Sequence, residues 1–170
     1  MRSAPHDLRG LLARALAEEA TARTVDQLGM GFTAWHGVAA GEDAVLDHVV
    51  LGPSGLYGVM SLDLGGHVRF RSDELLGDDA GTPVADLLRR MRSVARAARV
   101  RFGGGIIVLP DDDLPGAITP LTGVRTLPVV VVSRSALATV LRRGVPGART
   151  IGGNELFDIR TRLQQTARLV

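Results

Sequence analysis

The chain has 170 residues, enough for one globular domain that buries roughly two-thirds of the surface its unfolded form exposes. A hydrophobic share of 45% with only 4% aromatic residues describes a core of Leu, Val, Ile and Ala and excludes a disordered polypeptide. The 20 basic residues, all arginine, stand against 18 acidic ones for a formal charge of +2, which excludes lysine chemistry and leaves polyanion binding to be argued from distribution; the lack of cysteine excludes disulfides, thiolate zinc sites and cysteine nucleophiles.

Over residues 7 to about 28, Leu8, Leu11, Leu12, Ala15, Leu16, Ala22, Val25 and Leu28 recur at the spacing of one buried helical face. Gly29 and Gly31 stop that helix. Strands are expected at 32–38, 44–51 and 56–64, the last two joined by the turn Gly52-Pro53-Ser54-Gly55. A short stretch at 67–70 adds a fourth strand to this antiparallel meander.

Thr82 and Pro83 read as the N-cap and first position of a helix running to about Arg101, with Val84, Leu87, Leu88, Met91, Ala95 and Ala98 inward. Apolar runs at 106–109 and 127–132 have the character of central strands, separated by a loop over 110–123. Ser133 is placed to cap a short helix that Gly144 closes, and Asn154 to cap a last one carrying Leu156, Ile159, Leu163 and Ala167. The expectation is one α/β domain over residues 1–170, with a central mixed sheet, an antiparallel N-terminal meander and flanking helices.

Arg9, Arg14, Glu18 and Glu19 interrupt the first 20 residues where a signal peptide needs an apolar stretch. No apolar run approaches the roughly 18 residues that span a bilayer. A cytoplasmic location with no membrane partner is the expectation.

The segment Asp47-His48-Val49-Val50-Leu51-Gly52-Pro53-Ser54-Gly55-Leu56-Tyr57-Gly58-Val59 resembles the signature of the nuclease-related domain (NERD) family of the PD-(D/E)xK superfamily. In that family an aspartate-histidine pair opens a strand, a Gly-Pro-x-Gly turn follows, and the returning strand carries an acidic residue and a lysine. Gly66-His67-Val68 matches the family's next Gly-x-Val, and a looser likeness covers residues 15 to 145. The resemblance implies a restriction-endonuclease-like sheet and Mg²⁺-dependent phosphodiester cleavage by carboxylates on adjacent strands.

At the family's acidic position stands Met60 and at its lysine position Leu62, so of the implied catalytic set only Asp47 remains. Magnesium needs oxygen ligands in near-octahedral array, and one carboxylate falls short. No metal site is assigned and no cofactor is expected; Mg²⁺ would enter only if Asp63 or Glu42 were displaced toward Asp47. Asp63 shares the opposite strand face from Met60, so it would need a bulge, for which Gly58 and the Gly65-Gly66 pair give room. Asp111-Asp112-Asp113 follow a strand end but read as a surface loop, because consecutive side chains diverge.

Gly103-Gly104-Gly105 precede a strand and lack the Gly-Lys-Ser of a P-loop. The four histidines have no zinc spacing, and Ser54 lacks a nucleophile elbow's second glycine. Arg89, Arg92, Arg96 and Arg99 recur at three- and four-residue intervals along the second long helix, a stripe suited to a phosphate backbone. The same stripe is also what the solvated face of an arginine-rich helix looks like. Three functions follow: a non-catalytic nuclease-fold domain that binds DNA or a protein, an active nuclease built on Asp47, or an interaction module with no nucleic-acid role.

Overall fold

The computed structural model describes residues 3–39, 45–66, 68–77, 80–114 and 116–168. Helix α1 (Ser3–Asp26) leads into strands β1 (Thr33–Ala39), β2 (Val45–Gly52) and β3 (Gly55–Ser61), an antiparallel meander as expected. Gly52 pairs with Gly55 across the Pro53-Ser54 turn, and Gly55 takes a φ of +151° that glycine tolerates best. The Tyr57 hydroxyl donates to the Ser54 carbonyl at 2.8 Å and accepts from the Val145 amide at 3.2 Å, which fastens the turn to a segment far along the chain.

Strand β6 (Gly104–Leu109) pairs parallel to β3, and β8 (Val129–Ser133) parallel to β6. Both are interior strands, as their unbroken apolar runs predict, in a six-stranded mixed sheet of order β1-β2-β3-β6-β8-β7. The last member, β7 (Ile118–Pro120), lies inside what reads in sequence as a loop. It is three residues long and sits on an edge, where a strand tolerates the missing N–H of Pro120.

The fourth strand of the meander does not join this sheet. β4 (Arg69–Phe70) folds back on β5 (Leu75–Leu76) as a separate hairpin, because β3 is already bonded by β2 on one side and β6 on the other. Glu42 and His67 lie outside the described residues.

The two sheet faces make two cores. One packs Val49, Leu51, Met60, Ile107 and Val131 against α2 (Pro83–Ala98) and α4 (Gly153–Arg168). The other packs Val50, Tyr57, Val59, Ile106 and Val132 against the end of α1 and α3 (Leu137–Arg143). Gly58 and Gly105 are neighbours across β3 and β6, and a Cβ at Gly58 would lie 2.6 Å from Met91 Cγ. Bare backbone there lets α2 sit close on the sheet.

Helix α1 keeps only the end of its expected inward face. Val25, and Leu28 just beyond the helix, are buried as expected, in line with Ala17 and Thr21, whereas Leu8, Leu11, Leu12 and Leu16 are 66%, 67%, 60% and 54% exposed on the roughly opposite side. Small side chains allow the helix to approach the sheet closely, so the leucines, though correctly periodic, face outward. Thr82 and Ser133 hold the expected N-cap positions, Ser133 before a 3-10 turn that leads into α3, but neither makes a side-chain cap bond; the amide of Ser135 instead donates to Asp111 Oδ1 at 2.9 Å, and Gly153 rather than Asn154 begins α4. Among the described residues no helix is long and apolar enough to cross a membrane.

Candidate functional site

Asp47 sits near the start of β2, on the same pleat face as Val49 and Leu51 and beside Met60 of β3, since His48 pairs with Val59. Its carboxylate is almost fully buried at the inner wall of a cleft of about 440 Å³. Arg14 and Glu18 of α1, Gly37 of β1 and Arg90 of α2 form the other walls. Helical spacing places Arg14 and Glu18 one turn apart on the same side, so both reach the sheet end.

Arg14 is the centre of this arrangement. Its Nη2 donates to Asp47 Oδ1 at 3.5 Å while its Nε donates to Glu18 Oε1 at 3.2 Å. The Ser61 amide donates to Asp47 Oδ2 at 3.2 Å, and Arg90 Nη1 donates to the Val45 carbonyl at 2.8 Å. Burial raises the Asp47 pKa above the ordinary 3.8 and the nearby Glu18 carboxylate adds to that; Arg14, the Ser61 amide and Arg90 pull the other way. A perturbed carboxyl in a cleft marks a candidate site.

The fold therefore brings together Asp47 and Glu18, a pair from distant parts of the chain. It does not bring Asp63. The ladder through Gly58 is regular on both sides, so no bulge shifts the register, and the exposed Asp63 accepts from the Gly65 amide at 3.2 Å within its own turn. Met60 and Leu62 are buried in the core with Val84, Leu87 and Met91, so their face offers no apolar cleft for a partner side chain. These residues do not fit a Mg²⁺ ion: Arg14 lies between the two carboxylates and the adjoining strand face is hydrocarbon. Among the described residues no group of three or more His, Asp and Glu is placed to hold a metal.

Comparison with known families, curated proteins and solved structures gave no significant match. Function must therefore be read from the geometry of the chain itself.

Asp47→Asn tests the balance at this carboxyl. A group whose pKa is raised in the fold holds its proton more tightly there than in the unfolded chain. It favours the fold below 3.8, and that contribution is lost as pH rises through the raised value, leaving an ionised Asp47 as a net cost at pH 7. Denaturant unfolding at pH 7 is expected to show Asp47→Asn as stable as the parent or more so. A loss above about 1 kcal/mol would mean that the attraction of Arg14 outweighs the cost of burial.

On the other face of β2, His48 joins a chain of polar groups that sequence spacing alone did not reveal. His36 Nε2 lies 3.0 Å from Asp26 Oδ1, His36 Nδ1 lies 2.9 Å from His48 Nδ1, and His48 Nε2 lies 3.4 Å from Ser61 Oγ. Ser61 Oγ is 2.6 Å from Thr21 Oγ1. One consistent proton arrangement has His36 donating from Nε2 to Asp26 and accepting at Nδ1 from His48 Nδ1–H. Burial first, then His36, lowers the His48 pKa to about 4. This imidazole is a neutral structural group at neutral pH, packed against the meander.

The arginines of α2 divide. Arg90 turns toward the Asp47 cleft, whereas Arg89, Arg92, Arg96 and Arg99 are all exposed. Arg89 contacts Asp86 at 3.3 Å, a solvent-exposed pair of little energetic weight. Arg92, Arg96 and Arg99 have no carboxylate within ion-pair distance among the described residues. Arg99 ends the helix in the left-handed region at φ 57°, its amide donating to the Ala95 carbonyl.

Proposed function

We propose that this chain is a nuclease-related domain without cleavage activity that works by binding nucleic acid along the arginine face of α2, in the cytoplasm. The observation that carries the reading is that face: exposed, periodic and, at Arg92, Arg96 and Arg99, with no carboxylate of the described residues within ion-pair distance. The Asp47 cleft supports the non-catalytic half, because Arg14 joins Asp47 and Glu18 where a nuclease would place its cation. Met60 and Leu62 support it too, since each serves the core.

Titration of fluorescent single- and double-stranded DNA at two salt concentrations tests the proposal. Affinity should fall steeply with salt, and changing Arg92, Arg96 and Arg99 to Gln together should lower the logarithmic salt slope by roughly 2 to 3. Incubation with Mg²⁺ or Mn²⁺ should leave the DNA intact. Cleavage that Asp47→Ala abolishes would establish the active-nuclease alternative, with Glu18 as the displaced carboxylate.

A second reading is favoured by the outward leucines Leu8, Leu11, Leu12 and Leu16, an apolar stripe of the kind that marks protein interaction sites. Absence of salt-sensitive DNA binding would move the function to that surface.

A further inference from the structure

On the flank of α2 opposite Arg90, a recess of about 260 Å³ opens between the helix and the segments that lead into β6 and β8. Leu88, Ala95, Phe102 and Leu127 supply its apolar lining, and Arg92 and Arg101 stand in its wall. The left-handed Arg99 makes this shape: α2 stops abruptly, the chain turns, and the Gly103 amide donates to the Leu56 carbonyl at 2.8 Å, which leaves Phe102 half-buried rather than sealed in the core.

The rim is cationic. Arg92 and Arg101 are exposed, and so is Arg125, next to Thr126 of the lining. None of the three has a carboxylate within ion-pair distance among the described residues. An apolar slot beside unneutralised guanidinium groups fits a flat ring that carries phosphate. In a duplex the bases are stacked and paired, so only an unpaired base can enter.

We propose that this recess takes one base of a single-stranded nucleic acid, with Phe102 as its stacking partner and Arg92 and Arg101 on the flanking phosphates. The proposal rests on the arginine-face reading and adds to it the strandedness of the ligand and the residue that senses the base. Phosphate contacts along Arg92, Arg96 and Arg99 bind without regard to bases. Stacking in the recess distinguishes a base-bearing strand from a bare backbone.

Fluorescence anisotropy with a labelled oligothymidylate, an abasic strand of the same length and a duplex separates the two ideas. The oligothymidylate should bind about tenfold more tightly than the abasic strand, and more tightly than the duplex. Phe102→Leu, which keeps an apolar side chain, should erase most of that difference while the abasic affinity and its salt slope stay unchanged. Ala95→Leu, which fills the slot from a half-buried helical position, should do the same if Phe102→Leu lowers the melting temperature. Equal binding of the base-bearing and abasic strands, tighter binding of the duplex, or a difference that survives both substitutions overturns the recess while salt-dependent binding leaves the arginine face standing. Failure of all three probes to bind overturns both.

Discussion

Replacing Glu74 with alanine is expected to lower the unfolding free energy by about 3 kcal/mol, because it strands buried N–H donors at the start of α2. Glu74 is only 4% exposed, and its carboxylate accepts from the amides of Leu75 at 2.9 Å, Val84 at 2.7 Å and Ala85 at 3.1 Å. Val84 and Ala85 follow Pro83, which has no N–H of its own, so Glu74 caps the helix from outside it and faces the positive end of its dipole. Glu74→Gln keeps an acceptor oxygen but not the charge, and should cost about half as much. Urea unfolding of the two variants checks this, and a loss under about 1 kcal/mol for Glu74→Ala would mean that water or Thr82 takes over the amides. The same helix presents the arginine face, so the β4-β5 hairpin that delivers Glu74 also holds that face in place.

Acidification should weaken the fold through His48. The folded pKa near 4 lies below the ordinary 6.5, so between those values the unfolded chain binds a proton that the native imidazole refuses. The stabilisation is therefore fully present above pH 6.5 and is lost as pH falls toward 4, about 3 kcal/mol in all. Protonation would also place an imidazolium against His36, whose Nδ1 is 2.9 Å away. Between pH 6.5 and 5, above the range where ordinary carboxylates titrate, stability should fall by about 1.5 kcal/mol in all, the slope steepening toward about 1.4 kcal/mol per pH unit, the limit for one proton. His48→Gln should be less stable at pH 7 and nearly flat over that interval. An equal slope in the variant would assign the titration elsewhere.

Much of the frame was legible in the residues themselves. The runs around Val49, Ile106 and Val130, the Gly52-Pro53-Ser54-Gly55 turn and the inward line of α2 all lie within one element or one turn, where side-chain period and local dihedral preference act directly. The interior position of β6 and β8 followed from their hydrophobicity on both faces. The arginine stripe was equally plain, because helical spacing alone puts Arg89, Arg92, Arg96 and Arg99 on one side.

Tertiary structure decided what period cannot specify: which body a face meets. The leucines of α1 and the small residues Ala17 and Thr21 both repeat at helical intervals, and only packing against the sheet selected the latter. β4 had strand character but no edge to join once β6 had taken the free side of β3. Glu74 reached a helix that begins beyond its own hairpin, Glu18 reached Asp47, His36 met His48, and Phe102 came to lie beside Arg92. Local sequence carries the propensities of backbone and side-chain period. Contacts between residues far apart in the chain depend instead on the single arrangement in which both sheet faces are covered and most buried polar groups find partners.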